Sequence, residues 1–198
     1  MDSEFEQLKK EVLSCTNCVL CKTRTNVVFG EGNPHAGIMA IGEGPGNDED
    51  LQGLPFVGRS GQLLEKIFTA CNFTRKDHIF VANIVKCRPP NNRVPAPEER
   101  STCVPYLLKQ IELVNPKIII LLGATALSLL NSDYMISKVR GTWLEFNGRL
   151  VMPTYHPSAL LRNPNLKPVV WEDFQKIFHK YRELVDPNHT SVNIKIVS

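Results

Sequence analysis

No apolar run in this chain approaches the roughly 20 residues needed to cross a bilayer, which argues against a membrane-spanning protein. The opening stretch, MDSEFEQLKKEVLS, is charged and amphipathic, without the basic start, apolar centre and small-residue cleavage site of a secretory signal. The cytoplasm is therefore the expected location. Charge of one sign is not in strong excess: 23 Lys and Arg against 20 Asp and Glu leave a formal net charge of +3. Contact with nucleic acid would have to come from a local patch. Neither GxGxxG nor the GKS/GKT of a phosphate-binding loop occurs, which disfavours a dinucleotide or ATP site. Repeats and low-complexity segments are absent too, and the Pro-rich stretch RPPNNRVPAP at 88–97 is too short to separate domains. With 198 residues, a single domain over 1–185 and a C-terminal tail over 186–198 are expected.

What is present alternates. AGIMAI at 36–41, IFVANIV at 79–85, KIIILLG at 117–123 and RLVMPTY at 149–155 read as four buried strands. Helical spacing recurs at 61–71, 98–113, 124–130 and 169–184. This pattern predicts an α/β fold of three layers, α/β/α, around a central, mostly parallel four-stranded sheet. Ligands of such sheets sit beyond the carboxyl ends of the strands. Three unusual segments fall there: GEGPG after the first strand, Asn83 to Arg93 at the second, and HPSALLR after the last.

Six cysteines without an export signal read as metal ligands or buried thiols. Cys15 and Cys18 form a C-x-x-C pair, and Cys87 and Cys103 could complete four ligands for zinc or an iron–sulfur cluster; spacing alone does not choose between them. Cys71, on an apolar helical face, reads as a packed thiol, whereas Cys21 is a competing ligand. GEGPG at 42–46 follows a buried strand, so its amides would line a pocket suited to a flat, neutral ligand. Phe56 sits in a glycine-bounded loop, as a core residue or a stacking platform. Asn83 interrupts an apolar strand; its amide is either bonded to backbone or free to read the edge of a base. His156, before Pro157, stands at the sheet edge.

Taken in order, CTNC at 15–18, GEGPGNDED at 42–50, GLPFVGRSGQLL at 53–64, ANIVKCRPPNNR at 82–93, GATAL at 123–127 and HPSALLR at 156–162 closely resemble the motifs of the type 4 (family 4) uracil-DNA glycosylases. The resemblance covers roughly residues 15–180. It implies a monofunctional hydrolase of base excision repair that cuts the bond between uracil and deoxyribose in DNA and leaves an abasic site. A structural 4Fe-4S cluster on Cys15, Cys18, Cys87 and Cys103 is implied with it. Phe56 would stack on uracil, Asn83 would bond its polar edge, and backbone around Gly42, Glu43 and Gly44 would close the pocket. His156 would stabilise charge on uracil O2, and Glu43 the sugar cation or the attacking water. Other types of uracil glycosylase carry Asp or Asn at the position of Gly44, which leaves open the group that positions water here. Leu160 or Leu161 would fill the gap left by the extruded nucleotide and Arg162 would meet a phosphate, while Lys86, Arg88 and Arg93 form a basic run beside Cys87 that is expected to face DNA, with the metal stiffening its loop. The expected partner is uracil-containing DNA, single- or double-stranded, bound by a monomer. A non-catalytic nucleic-acid-binding module with a structural metal site is the competing reading.

Overall fold

A computed structural model of the chain describes residues 2–191. Four parallel strands make the centre of one sheet: β2 (Ile38–Gly42), β3 (Ile79–Asn83), β4 (Ile118–Leu122) and β6 (Arg149–Thr154), in spatial order β3-β2-β4-β6. Every residue of β2, β3 and β4 is buried, because helices cover both faces; that is why these strands read as unbroken apolar runs. Two short antiparallel strands flank them, β1 (Glu31–Gly32) beside β3 and β5 (Leu144–Phe146) beside β6, so among the described residues the sheet has six strands and not four. Segments of two and three residues carry too little periodicity to be read from sequence.

Alternation along each strand divides the core. Met39 and Ile41 pack with Leu8 and Val12 of α1 (Asp2–Leu13) and Leu107 and Ile111 of α4 (Pro97–Val114). Ile38 and Ala40 face the other way, onto Leu64 and Phe68 of α3 (Arg59–Ala70) and Phe174 and Phe178 of α8 (Lys167–Leu184). The result is three layers, as expected. Truncating a fully buried phenylalanine such as Phe174 to alanine would cost roughly 3–5 kcal/mol. Local signals fix the helix ends: α4 starts with Pro97 at its first position, and Glu99 accepts the Ala96 N–H at 2.7 Å.

All four central strands end at one edge. There β2 runs into the glycine-rich turn and α2 (Asn47–Gln52), β4 into Gly123 and α5 (Ala124–Leu127), and β6 into His156 and α7 (Pro157–Arg162). Thus HPSALLR is a short helix. β3 ends on Asn83, so Cys87 lies beyond the strand and not at its end. The segment expected to be a tail packs onto the body as far as His189, which is 5% exposed and stacks on Phe73 at 4.8 Å. The rest of that segment, 192–198, lies outside the described residues. Among the described residues no helix is long and apolar enough to cross a membrane.

Candidate active site

The loops at the strand ends enclose a cleft of about 650 Å³, and Phe56, Asn83 and His156 all line it. Asn83 is 1% exposed, yet neither its Oδ1 nor its Nδ2 has a hydrogen-bond partner. Leaving a buried amide unpaired costs about 1–3 kcal/mol. The backbone-bonded alternative for this side chain is thereby excluded. The neighbouring glycine explains itself on the same geometry: a Cβ at Gly42 would lie 2.5 Å from Asn83 Oδ1 and 2.5 Å from Phe56 Cζ. At Gly44 a Cβ would lie 2.7 Å from Val85 Cγ2, so this wall of the cleft is bare backbone.

Phe56 has a φ of +54°, a left-handed conformation costly for a residue with a side chain, by about 1–3 kcal/mol. Its ring centroid lies 5.6 Å from that of His156, with the planes tilted by 33°. The loop is held from both sides. Arg75 donates to Pro55 O at 2.7 Å and Phe56 O at 3.0 Å. Glu49 Oε1 accepts the N–H groups of Val57 at 2.9 Å and Gly58 at 2.8 Å, while its Oε2 accepts Gly46 N–H at 3.1 Å. One buried carboxylate therefore fastens the glycine-rich turn to the Phe56 loop. Sequence reasoning did not assign Glu49; its signal was a glutamate three residues after Gly46 at a helix start.

His156 caps α7, its Nδ1 accepting the Ser158 N–H at 3.1 Å. Burial, aided by the nearby positive Arg162, pushes its pKa down to about 4. The imidazole is therefore neutral at pH 7, and the acceptor role of Nδ1 puts the proton on Nε2. Glu43 also lines the cleft, and its Oε2 accepts a hydrogen bond from Thr125 Oγ1. Thr125, in the turn after β4, is a second residue that sequence reasoning left unassigned.

The outer rim departs from expectation at two points. Leu160 is 1% exposed and belongs to the core, because successive positions of a helix face different directions; only Leu161, 40% exposed, is available as a wedge. Lys86 is 1% exposed and bonds Asn83 O at 2.8 Å and Gln110 Oε1 at 2.6 Å, so it does not face DNA. Among the described residues Arg88 bonds the amide oxygens of Asn92 at 2.7 Å and Asn47 at 2.8 Å, whereas Arg93 forks onto Glu99 at 2.8 and 2.6 Å. That pairing holds the Glu99 carboxyl below its usual range. Arg162 is exposed and lines the cleft.

The sequence that builds this cleft has close relatives. The sequence model of the uracil DNA glycosylase superfamily matches residues 29–175. The chain is 48% identical over 177 residues to a type-4 uracil-DNA glycosylase of Thermotoga maritima, covering 87% of this chain and 92% of that one. It is 46% identical to a type-4 enzyme of Sulfurisphaera tokodaii, over 89% of this chain and 84% of that one. The chain belongs to the type-4 uracil-DNA glycosylases.

The cluster that the family resemblance implies can be compared with the thiols of this type-4 chain. Cys15, Cys18, Cys87 and Cys103 line one cavity between α1, α4 and the loop after β3, and Cys21 borders it as well. Donors point at the sulfurs: Arg24 Nη1 lies 3.1 Å from Cys87 Sγ, and the Lys86 N–H lies 3.3 Å from Cys103 Sγ. Burial pushes the Cys87 thiol up to about 11 and raises that of Cys103. Among the described residues no three Cys, His, Asp or Glu side chains are placed to hold a single metal ion. Cys71, the residue that caps the end of α3, is fully buried, its thiol pushed up to about 12 by that burial, and packs as a hydrophobe.

Proposed function

We propose that the cleft removes uracil from DNA by hydrolysing its N-glycosidic bond, with the base flipped out of the helix, as membership of the type-4 uracil-DNA glycosylases implies. The observation that carries the site assignment is the Asn83 amide, buried within the cleft without a partner. Turned toward the N3–H and O4 of uracil, it recovers the bonds it lacks, while the edge of cytosine offers the wrong donors and acceptors. Phe56 supplies a stacking face. Together with the Gly42–Gly44 backbone it forms the wall that would exclude the methyl group of thymine.

Uracil departs as an anion, with charge gathering on O2 as the bond breaks. The Nε2–H of neutral His156 is a donor for that oxygen, favouring the transition state over the ground state. Glu43, steadied by Thr125, faces the positive charge that builds on the sugar or orients the attacking water. Leu161 fills the space the nucleotide vacates, and Arg88 and Arg162 meet phosphates; Arg93 contributes less because Glu99 already answers its charge. Incubation with uracil-containing and uracil-free single strands, followed by alkali, tests the activity: strand breaks only in the former are expected, and none in either would favour a non-catalytic binding module.

The four cysteines would hold a 4Fe-4S cluster whose chemistry is structural, cross-linking the segment after α1, the loop after β3 and helix α4. Four thiols lining one cavity, brought together from distant parts of the chain, provide the ligand set such a cluster needs. The cationic Arg24 beside Cys87 suits thiolate ligands. Iron and acid-labile sulfide in the purified protein support this assignment; bound zinc with no visible absorbance contradicts it.

A further inference from the structure

Arg75, in the connection between α3 and β3, does not line the cleft, yet its guanidinium grips the backbone that shapes one wall of it. Two of its nitrogens donate to two successive carbonyls, Pro55 O at 2.7 Å and Phe56 O at 3.0 Å. Its remaining capacity goes to two carboxylates, Glu65 of α3 at 2.5 Å and Glu31 of β1 at 2.6 Å. The fork is thus fixed to a helix and an edge strand before it reaches the loop. From another side Gly61 abuts the same peptide: a Cβ there would lie 2.0 Å from Phe56 O. Between these contacts sits a residue at φ +54°, a conformation that persists only where its surroundings impose it.

We propose that Arg75 is a positioning residue for base binding: it holds the Phe56 peptide in its left-handed conformation, so that the ring is set against the cleft before the base arrives. The proposal rests on the reading that Phe56 stacks on uracil. A planar fork is needed, since a lysine ammonium cannot donate to two carbonyls while spanning two carboxylates in one plane. Without it the Phe56 backbone relaxes toward negative φ and carries its side chain away from the wall. His156 and Glu43 keep their own hydrogen-bond supports, so the loss falls on binding more than on bond cleavage.

The test measures kcat and KM on a uracil-containing single strand, and competitive inhibition by free uracil, for the wild type, Arg75→Met, Arg75→Lys, Phe56→Ala and the Arg75→Met/Phe56→Ala double variant. Arg75→Met is expected to raise KM and the uracil inhibition constant about tenfold while kcat changes little, and to add nothing in the Phe56→Ala background. Arg75→Lys keeps positive charge between Glu31 and Glu65 and covers the case in which Arg75→Met does not fold; it is expected to show the same pattern more weakly. Unchanged uracil inhibition in folded Arg75 variants, beside an impaired Phe56→Ala, overturns the positioning role and leaves the stacking reading standing. An unimpaired Phe56→Ala removes the stacking reading, and this proposal with it. Equal penalties with and without the Phe56 ring also overturn the proposal, since Arg75 would then act on the fold at large.

Discussion

Thr125 Oγ1 donates its hydrogen bond to Glu43 Oε2, joining helix α5, after β4, to the residue that follows β2, both of them lining the cleft. The carboxylate proposed to face the sugar therefore does not choose its own rotamer. A hydrogen bond to a charged group contributes about 1.5–3 kcal/mol. Thr125→Val is expected to lower the single-turnover rate roughly 10- to 100-fold with KM nearly unchanged, and Thr125→Ser to keep most of it. A wild-type rate in Thr125→Val would show that Glu43 needs no such support.

His156 titrates in the opposite sense from a histidine that gains an acidic partner. Its pKa of about 4 lies below the ordinary 6.5, so unfolding takes up a proton between those values. The stability this site contributes is fully present above about pH 6.5 and is lost as pH falls toward 4. Imidazole ¹⁵N NMR is expected to show the Nε2–H tautomer and no midpoint above pH 5. A midpoint near 6.5 contradicts the assignment of a neutral donor at pH 7.

Two adjacent leucines on α7 separate wedge from core. Leu160→Ala is expected to cost about 2–5 kcal/mol of stability, measured by denaturant unfolding, because the side chain is buried. Leu161→Ala should leave stability nearly unchanged and slow excision from double strands more than from single strands, where no gap needs filling. Reversal of these effects would reassign the wedge.

Gly42→Ala puts a methyl group 2.5 Å from both Asn83 Oδ1 and Phe56 Cζ, forcing aside the two side chains proposed to hold the base. Excision is expected to fall by about 100-fold or more while circular dichroism still shows the folded protein. Full activity in this variant would mean that the wall beside Gly42 is not part of the base pocket.

The central strands were legible because both their faces are buried, and unbroken apolar runs such as KIIILLG have few other readings. The convergence of Phe56, Asn83 and His156 was legible from parallel topology, which brings strand ends to one edge. Leu160, by contrast, could not be told from Leu161 until the helical phase of α7 was known. Lys86 reads as a surface charge in any linear pattern; only the fold reveals Asn83 O and Gln110 Oε1 waiting for it. Arg75 and Glu49 act on backbone groups of a loop distant in sequence, and such contacts leave no periodic trace. The edge strands β1 and β5 were too short to signal themselves.

Asn83 is buried in the cleft with both groups of its amide unanswered by the protein, and its proposed partner is the base. The most direct measurement is the single-turnover excision rate of Asn83→Ala on a uracil-containing strand, with circular dichroism confirming the fold. A fall of about 100-fold or more is predicted, with thermal stability equal to or above that of the wild type because an unpaired buried group has been removed. An undiminished rate would contradict the account at its centre.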